Sequence, residues 1–151
     1  MINKASFLLL SALLIYCGDT ETCPQHWTPY GTRCFQFVST ARTWAESESH
    51  CVAMGGNLAS VHSIAEYSFI QELIRKRTQG APRTWIGGYD AAQEGLWFWS
   101  DGSRFDYTNW APGQPDNAGG EHCVEMNFPG TLWNDAPCKG LFPSVCAVQR
   151  M

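Results

Sequence analysis

The sequence predicts an α+β domain: two helices, small antiparallel sheets, one long irregular loop and three disulfides. Cysteine usage is the first observation behind this. Seven cysteines occur in 151 residues, a length that fits one domain. Cys17 closes an opening stretch, MINKASFLLLSALLIYCG, in which Lys4 precedes an apolar run from Phe7 to Tyr16. That pattern is a secretory leader and is too short for a membrane span. We assign residues 1–18 to the leader and 19–151 to the domain, with the cut between Cys17 and Thr20. The remaining cysteines are Cys23, Cys34, Cys51, Cys123, Cys138 and Cys146. An even set in a secreted chain reads as a disulfide framework, though spacing alone does not choose the pairing. A cut before Cys17 would leave an odd thiol able to join two chains. The second observation is a pair of helix-start signals, and the third is an oxygen-rich loop.

The elements follow in order. Cys23 to Val38 holds a turn at Pro29-Tyr30-Gly31 and a strand at Cys34-Phe35-Gln36-Phe37-Val38, so an N-terminal hairpin is predicted; His26 reads as surface. Thr43-x-x-Glu46 is a capping box that opens the first helix, with Trp44, Ser47 and Cys51 facing inward. Gly55-Gly56 end this helix, and His50 reads as a solvated position on it. Asn57 to Val61 is a short strand. Ser63-Ile64-Ala65-Glu66 is a second capping box. The helix it opens, about Ile64 to Lys76, is predicted to bury Ile64, Phe69, Ile70, Leu73 and Ile74.

Thr84-Trp85-Ile86-Gly87-Gly88-Tyr89 is strand-like, with glycines that permit close packing. Leu96-Trp97-Phe98-Trp99 follows, and these tryptophans read as core. Cys123 to Phe128 and Trp133-Asn134-Asp135 give two further strands, and Ser144 to Val148 closes the domain.

The formal net charge is −4, and loss of Lys4 with the leader makes the domain more negative still. Basic residues are scattered except Arg75-Lys76-Arg77, which suits a helix C-terminus. No polyanion-binding character follows, so nucleic acid is excluded as a partner. No Asn-x-Ser/Thr sequon occurs.

The loop from Trp110 to Asp135 reads WAPGQPDNAGGEHCVEMNFPGTLWND. Gln114, Asp116, Glu121, Asn134 and Asp135 offer three carboxylates and two amide carbonyls. Hard oxygen donors of this kind suit calcium. Gly119 and Gly120 let the loop fold back so that Glu121 reaches the same point. A cis Gln114–Pro115 bond would aim Gln114 and Asp116 at one ion.

Gln114-Pro115-Asp116, then Glu121, then Trp133-Asn134-Asp135 resembles the calcium and sugar site of C-type lectin domains. The Trp85-Ile86-Gly87 segment is a further mark of that family, and the resemblance runs from Cys23 to about Gln149. It implies a C-type lectin-like α+β fold with Cys23–Cys34, Cys51–Cys146 and Cys123–Cys138 paired. It implies a calcium ion held by Gln114, Asp116, Glu121, Asn134 and Asp135. Two sugar hydroxyls would complete the coordination, hydrogen-bonded to Gln114, Asp116, Glu121 and Asn134. The order of amide first and carboxylate third is the family's pattern for galactose and N-acetylgalactosamine. No aromatic follows the triplet directly; Trp110, Phe128 and Trp133 are the stacking candidates. An accessory calcium site is half present. Asp90 and Glu94 match it, while Asn117 and His122 stand where acids are expected.

The resemblance thus implies a secreted, extracellular, calcium-dependent lectin of the fish galactose type. Its partners would be galactose-type glycans on glycoproteins or cell surfaces. Two alternatives share the fold. Type II antifreeze proteins carry extra disulfides, whose cysteines would fall near Ala91, Ala111, His122 and Leu132, none of which is cysteine here. A venom-type domain that binds protein would have lost the ligand set. An enzyme is not expected: Glu121-His122 lacks the second histidine of a zinc-protease helix, and spacing alone shows no Ser-His-Asp pattern.

Overall fold

The fold is that of a computed structural model, which describes residues 21–128 and 130–151. The expected leader, residues 1–18, lies outside the described residues. Strand β1 (Thr28–Tyr30) and β2 (Arg33–Arg42) form the expected hairpin, closed by Cys23–Cys34. Helix α1 (Trp44–Ala53) follows, then β3 (Asn57–Leu58), α2 (Ile64–Thr78), β4 (Thr84–Tyr89) and β5 (Phe98–Trp99). After the long loop come β6 (Cys123–Met126), β7 (Asn134–Ala136) and β8 (Phe142–Gln149).

The strands join in one sheet of order β1-β2-β8-β4-β6-β7, with β3 on β8 and β5 on β4. Every ladder is antiparallel except the β4–β8 contact at Trp85 and Ser144. That contact joins the hairpin half to the β4-β6-β7 half that carries the loop. Glycine makes the junction possible. A Cβ on Gly87 would stand 2.7 Å from the Leu58 carbonyl oxygen, and one on Gly88 would stand 2.5 Å from Val124 Cγ2.

Helix α1 starts with a complete capping box. Thr43 Oγ1 accepts from Glu46 N–H at 3.2 Å, and Glu46 Oε2 accepts from Thr43 N–H at 3.0 Å. Helix α2 has only half of its predicted box. Ser63 Oγ accepts from Glu66 N–H at 3.1 Å. The Glu66 carboxylate turns instead to His62 N–H at 2.9 Å and to the guanidinium of Arg33 at 2.6 Å. A buried arginine makes the stronger demand: Arg33 is 8% exposed and needs a partner.

The buried face of α2 is Tyr67, Ile70, Leu73 and Ile74. Ile64, predicted buried, is 60% exposed because the helix enters from the surface at that turn. Phe69 is half-buried and stacks on Tyr30 at 4.7 Å. Tyr67 takes the place given to Ile64, and its hydroxyl donates to the Thr131 carbonyl, tying α2 to the segment before Trp133.

Cys51–Cys146 pins α1 to β8, and Cys123–Cys138 brackets β6 and β7. All three implied pairings are present. The core meets around Trp133, which is fully buried. Tyr67, Trp99, Tyr107 and Trp110 surround it with ring centroids 5.7–6.0 Å away. Truncating such a tryptophan to alanine costs about 3–5 kcal/mol. Its burial fixes the backbone from which Asn134 and Asp135 project.

Candidate cation and ligand site

The site is built by three pieces of chain. Strand β6 is preceded by Glu121; β7 supplies Asn134 and Asp135; the loop returning from Trp110 supplies Gln114 and Asp116. The β6–β7 ladder sets Val124 opposite Asp135 and Glu125 opposite Asn134. A parallel bridge from Trp110 to Trp133 delivers the loop to this ladder.

Asp135, fully buried, organises the loop. Its Oδ1 accepts from Asp116 N–H at 3.1 Å and its Oδ2 from Asn117 N–H at 2.8 Å. Asn117 Oδ1 accepts from Glu121 N–H at 2.9 Å and closes the return turn. That turn carries Gly119 at φ +71° and Gly120 at φ +87°, as folding back requires. The Gln114–Pro115 peptide is cis, as expected.

Three of the five residues read from the sequence, Asp116, Glu121 and Asp135, converge; Gln114 Nε2 lies 3.5 Å from Asp116 Oδ2, and Asn134 neighbours Asp135 in β7. One carboxylate oxygen from each of Asp116, Glu121 and Asp135 lies within 4.8 Å of the others. Gln114 Oε1 and Asn134 Oδ1 are buried and have no hydrogen-bond partner. Buried acceptors are normally satisfied, and the three clustered carboxylates form a group that could hold a metal ion. Burial is graded across the set. Asp135 and Asn134 form the floor, Gln114 and Glu121 are half-buried, and Asp116 is exposed. A ligand can therefore approach from the Asp116 side.

The clustering of carboxylates shows in their electrostatics. Burial, then the nearby charges of Asp135 and Asp116, push the Glu121 carboxyl above the ordinary carboxylate value.

Of the accessory group, Asp90, Glu94 and His122 lie together, and Asn117 is turned to the loop. Asn117 spends its amide oxygen on Glu121 N–H. Asp90 and Glu94 gather instead on His122, whose Nδ1 lies 3.0 and 3.2 Å from their carboxylate oxygens. Asp90 is fully buried and also accepts from Gly95 N–H at 2.8 Å.

Among the stacking candidates, Trp133 is wholly in the core and Trp110 is half-buried against Trp97 at 5.0 Å. Phe128 lies under the Arg83 guanidinium at 5.1 Å. The tryptophans of the central strands divide: Trp85 and Trp99 are core, and Trp97 is half-buried.

Folding also assembles a hydroxyl–imidazole–carboxylate chain that spacing did not show. Ser103 Oγ lies 3.1 Å from His62 Nε2, and His62 Nδ1 lies 2.8 Å from Asp106 Oδ1. The Ser103 hydroxyl also donates to Asp101 Oδ1 at 2.5 Å. Its single proton is thus engaged by a carboxylate, and the cluster braces the start of α2 against the loop after β5.

Sequence reading missed Glu125 and Arg83. Glu125 has no exposed surface; its Oε1 accepts from Asn134 Nδ2 at 2.9 Å, and Arg83 grips both its oxygens. The signal was available: a carboxylate inside the apolar run Cys-Val-Glu-Met demands a partner.

A disulfide-braced α+β domain with this loop on its β6–β7 ladder defines a class, the C-type lectin-like domains. The chain belongs to the C-type lectin domain family; the family model described as "Lectin C-type domain" matches residues 40–148. Ladderlectin of Oncorhynchus mykiss is 55% identical over 133 residues, spanning 87% of this chain and 70% of that protein. The galactose-specific lectin nattectin of Thalassophryne nattereri is 50% identical over 129 residues, spanning 85% of this chain and 81% of that protein. Herring type II antifreeze protein is similar in structure, with a TM-score of 0.80 at 38% identity, covering 85% of this chain and 100% of that one.

Proposed function

We propose that the protein is a secreted, calcium-dependent lectin that binds galactose and N-acetylgalactosamine, a binding module rather than an enzyme. The observation that carries this is the convergence of Asp116, Glu121 and Asp135, joined by two buried amide oxygens without partners, Gln114 Oε1 next to Asp116 across Pro115 and Asn134 Oδ1 next to Asp135. Gln114, Asp116, Glu121, Asn134 and Asp135 would hold the ion. When bound, the ion supplies open coordination positions for two neighbouring sugar hydroxyls. The chain's own residues then sort those hydroxyls. Asp116 and Glu121 accept hydrogen bonds only, whereas the amides of Gln114 and Asn134 can also donate. The amide-first, carboxylate-third order favours the galactose-type hydroxyl pair, and a similar lectin, nattectin, is named galactose-specific. One ion is assigned. The accessory group of Asp90 and Glu94 is taken up by His122, and Asn117 is turned to the loop. No helix among the described residues is long and apolar enough to cross a membrane. Galactose-type glycans on glycoproteins or cell surfaces are the partners this reading requires.

A glycan array probed with calcium and with chelator tests the proposal. Galactose-terminated glycans should bind in calcium and be lost in chelator; binding indifferent to chelator removes the metal mechanism.

A second reading is favoured by the likeness to herring type II antifreeze protein: the same loop surface would meet ice. The described residues hold three disulfides and none of the extra cysteines. Thermal hysteresis of the purified protein, with no glycan bound on the array, would select this reading.

A further inference from the structure

We propose that Glu125 is a positioning residue for the cation site, fixing which end of the Asn134 amide faces the loop, and that Arg83 holds Glu125 in place. This inference rests on the reading of Asn134 as a ligand.

The β6–β7 register sets Glu125 directly opposite Asn134, so both side chains share one face of the ladder. Glu125 is fully buried and Asn134 is 5% exposed. Glu125 Oε1 stands 2.9 Å from Asn134 Nδ2. A carboxylate only accepts hydrogen bonds, so the amide must turn its NH₂ toward Glu125. The opposite end, Oδ1, is then committed to the side where it has no protein partner. A flipped amide would set its oxygen against a carboxylate oxygen and present N–H groups to the ion, which repels both ways.

A buried carboxylate needs a partner to remain in place. Arg83 supplies it as a fork, with Nη2 2.6 Å from Oε1 and Nε 2.8 Å from Oε2. The guanidinium plane is fixed in turn by Phe142 at 4.6 Å and Phe128 at 5.1 Å. The Arg83–Glu125 pair is neutral as a unit, so what it supplies to the ion is orientation rather than charge. Second-layer partners of this kind commonly carry a share of metal affinity.

The test compares Glu125→Met and Glu125→Gln by calcium titration calorimetry, with the melting temperature of the ion-free protein measured alongside. Methionine removes the acceptor, and calcium should bind about 10-fold or more weakly. Glutamine keeps an acceptor oxygen for Asn134, and its calcium affinity should stay close to that of the parent. Equal weakening in both variants would mean that charge matters and would overturn the inference. Lowered melting temperatures with unchanged calcium affinity would mean a structural role only, and would also overturn it. If Glu125→Met fails to fold, the double variant Arg83→Met/Glu125→Met removes the buried carboxylate together with its exposed cationic partner, at smaller cost than leaving either charge unpaired, and should show the same weakened binding; parent-like affinity in it would overturn the inference. A parent protein that binds no calcium brings down the functional reading, and this inference with it. A parent that binds while the Glu125 variants match it brings down this inference alone.

Discussion

Gln114 and Asp116 flank Pro115 and, in the proposed site, would set the donor and acceptor layout, so exchanging them is the sharpest residue-level change. The double substitution Gln114→Glu with Asp116→Asn keeps the number of ligand oxygens and the total charge. Calcium affinity should change little, while sugar inhibition should shift from galactose toward mannose. Hydrogen bonds to charged groups worth roughly 1.5–3 kcal/mol each are at stake. An unchanged ranking would place selectivity elsewhere. Glu121 sets the pH response. Its carboxyl is held above the ordinary value by burial and by Asp135 and Asp116. In the ion-free protein the folded state therefore binds more protons than the unfolded one between the ordinary and the raised values. Through this group, ion-free stability rises as pH falls across that window. Calcium needs the ionised form, so acid works against it. The calcium-induced rise in melting temperature should shrink on acidification, beginning above the ordinary carboxylate range. A rise that is constant across that window would exclude Glu121 as a ligand.

At the scale of elements, the glycines of β4 and the α2 entry show what sequence can and cannot reveal. Close packing at Gly87 was legible, and its reason is the Leu58 carbonyl oxygen 2.7 Å from where a Cβ would stand. Gly87→Ala should destabilise by about 1–3 kcal/mol, the usual cost of overpacking, read as a lowered denaturant midpoint. A neutral substitution would show that β3 and β4 are less tightly apposed. The first capping box was legible because both of its partners are local. The second was only half right because Arg33, distant in sequence, claims Glu66. Ile64 was misplaced for a related reason: an apolar residue at the first turn of a helix faces wherever the helix enters. The strand Asn57 to Val61 was too long, since only Asn57 and Leu58 pair with β8.

For the molecule as a whole, the oxygen-bearing residues of the proposed site were legible because they sit in two short triplets around a single glutamate. The layer behind them was not. Glu125, Arg83 and Tyr67 act through partners that only the folded sheet brings near, and no local spacing marks them. In the accessory group the family likeness had already set His122 with Asp90 and Glu94, and the fold brings the three together. The disulfides were known as a set of cysteines, and their pairing came only with the family likeness.

The central claim is that one set of residues holds both ion and sugar. Binding of two ligands at one coordination sphere must be reciprocal. Titration calorimetry of calcium, without and with saturating galactose, tests this most directly. One ion should bind per chain, in the weak range of extracellular modules, roughly 10⁻⁴ to 10⁻³ M. Galactose should tighten calcium by the same factor by which calcium tightens galactose, and Asp135→Asn should lose both. Calcium binding of equal strength with and without galactose, or galactose binding that survives in chelator, would contradict it.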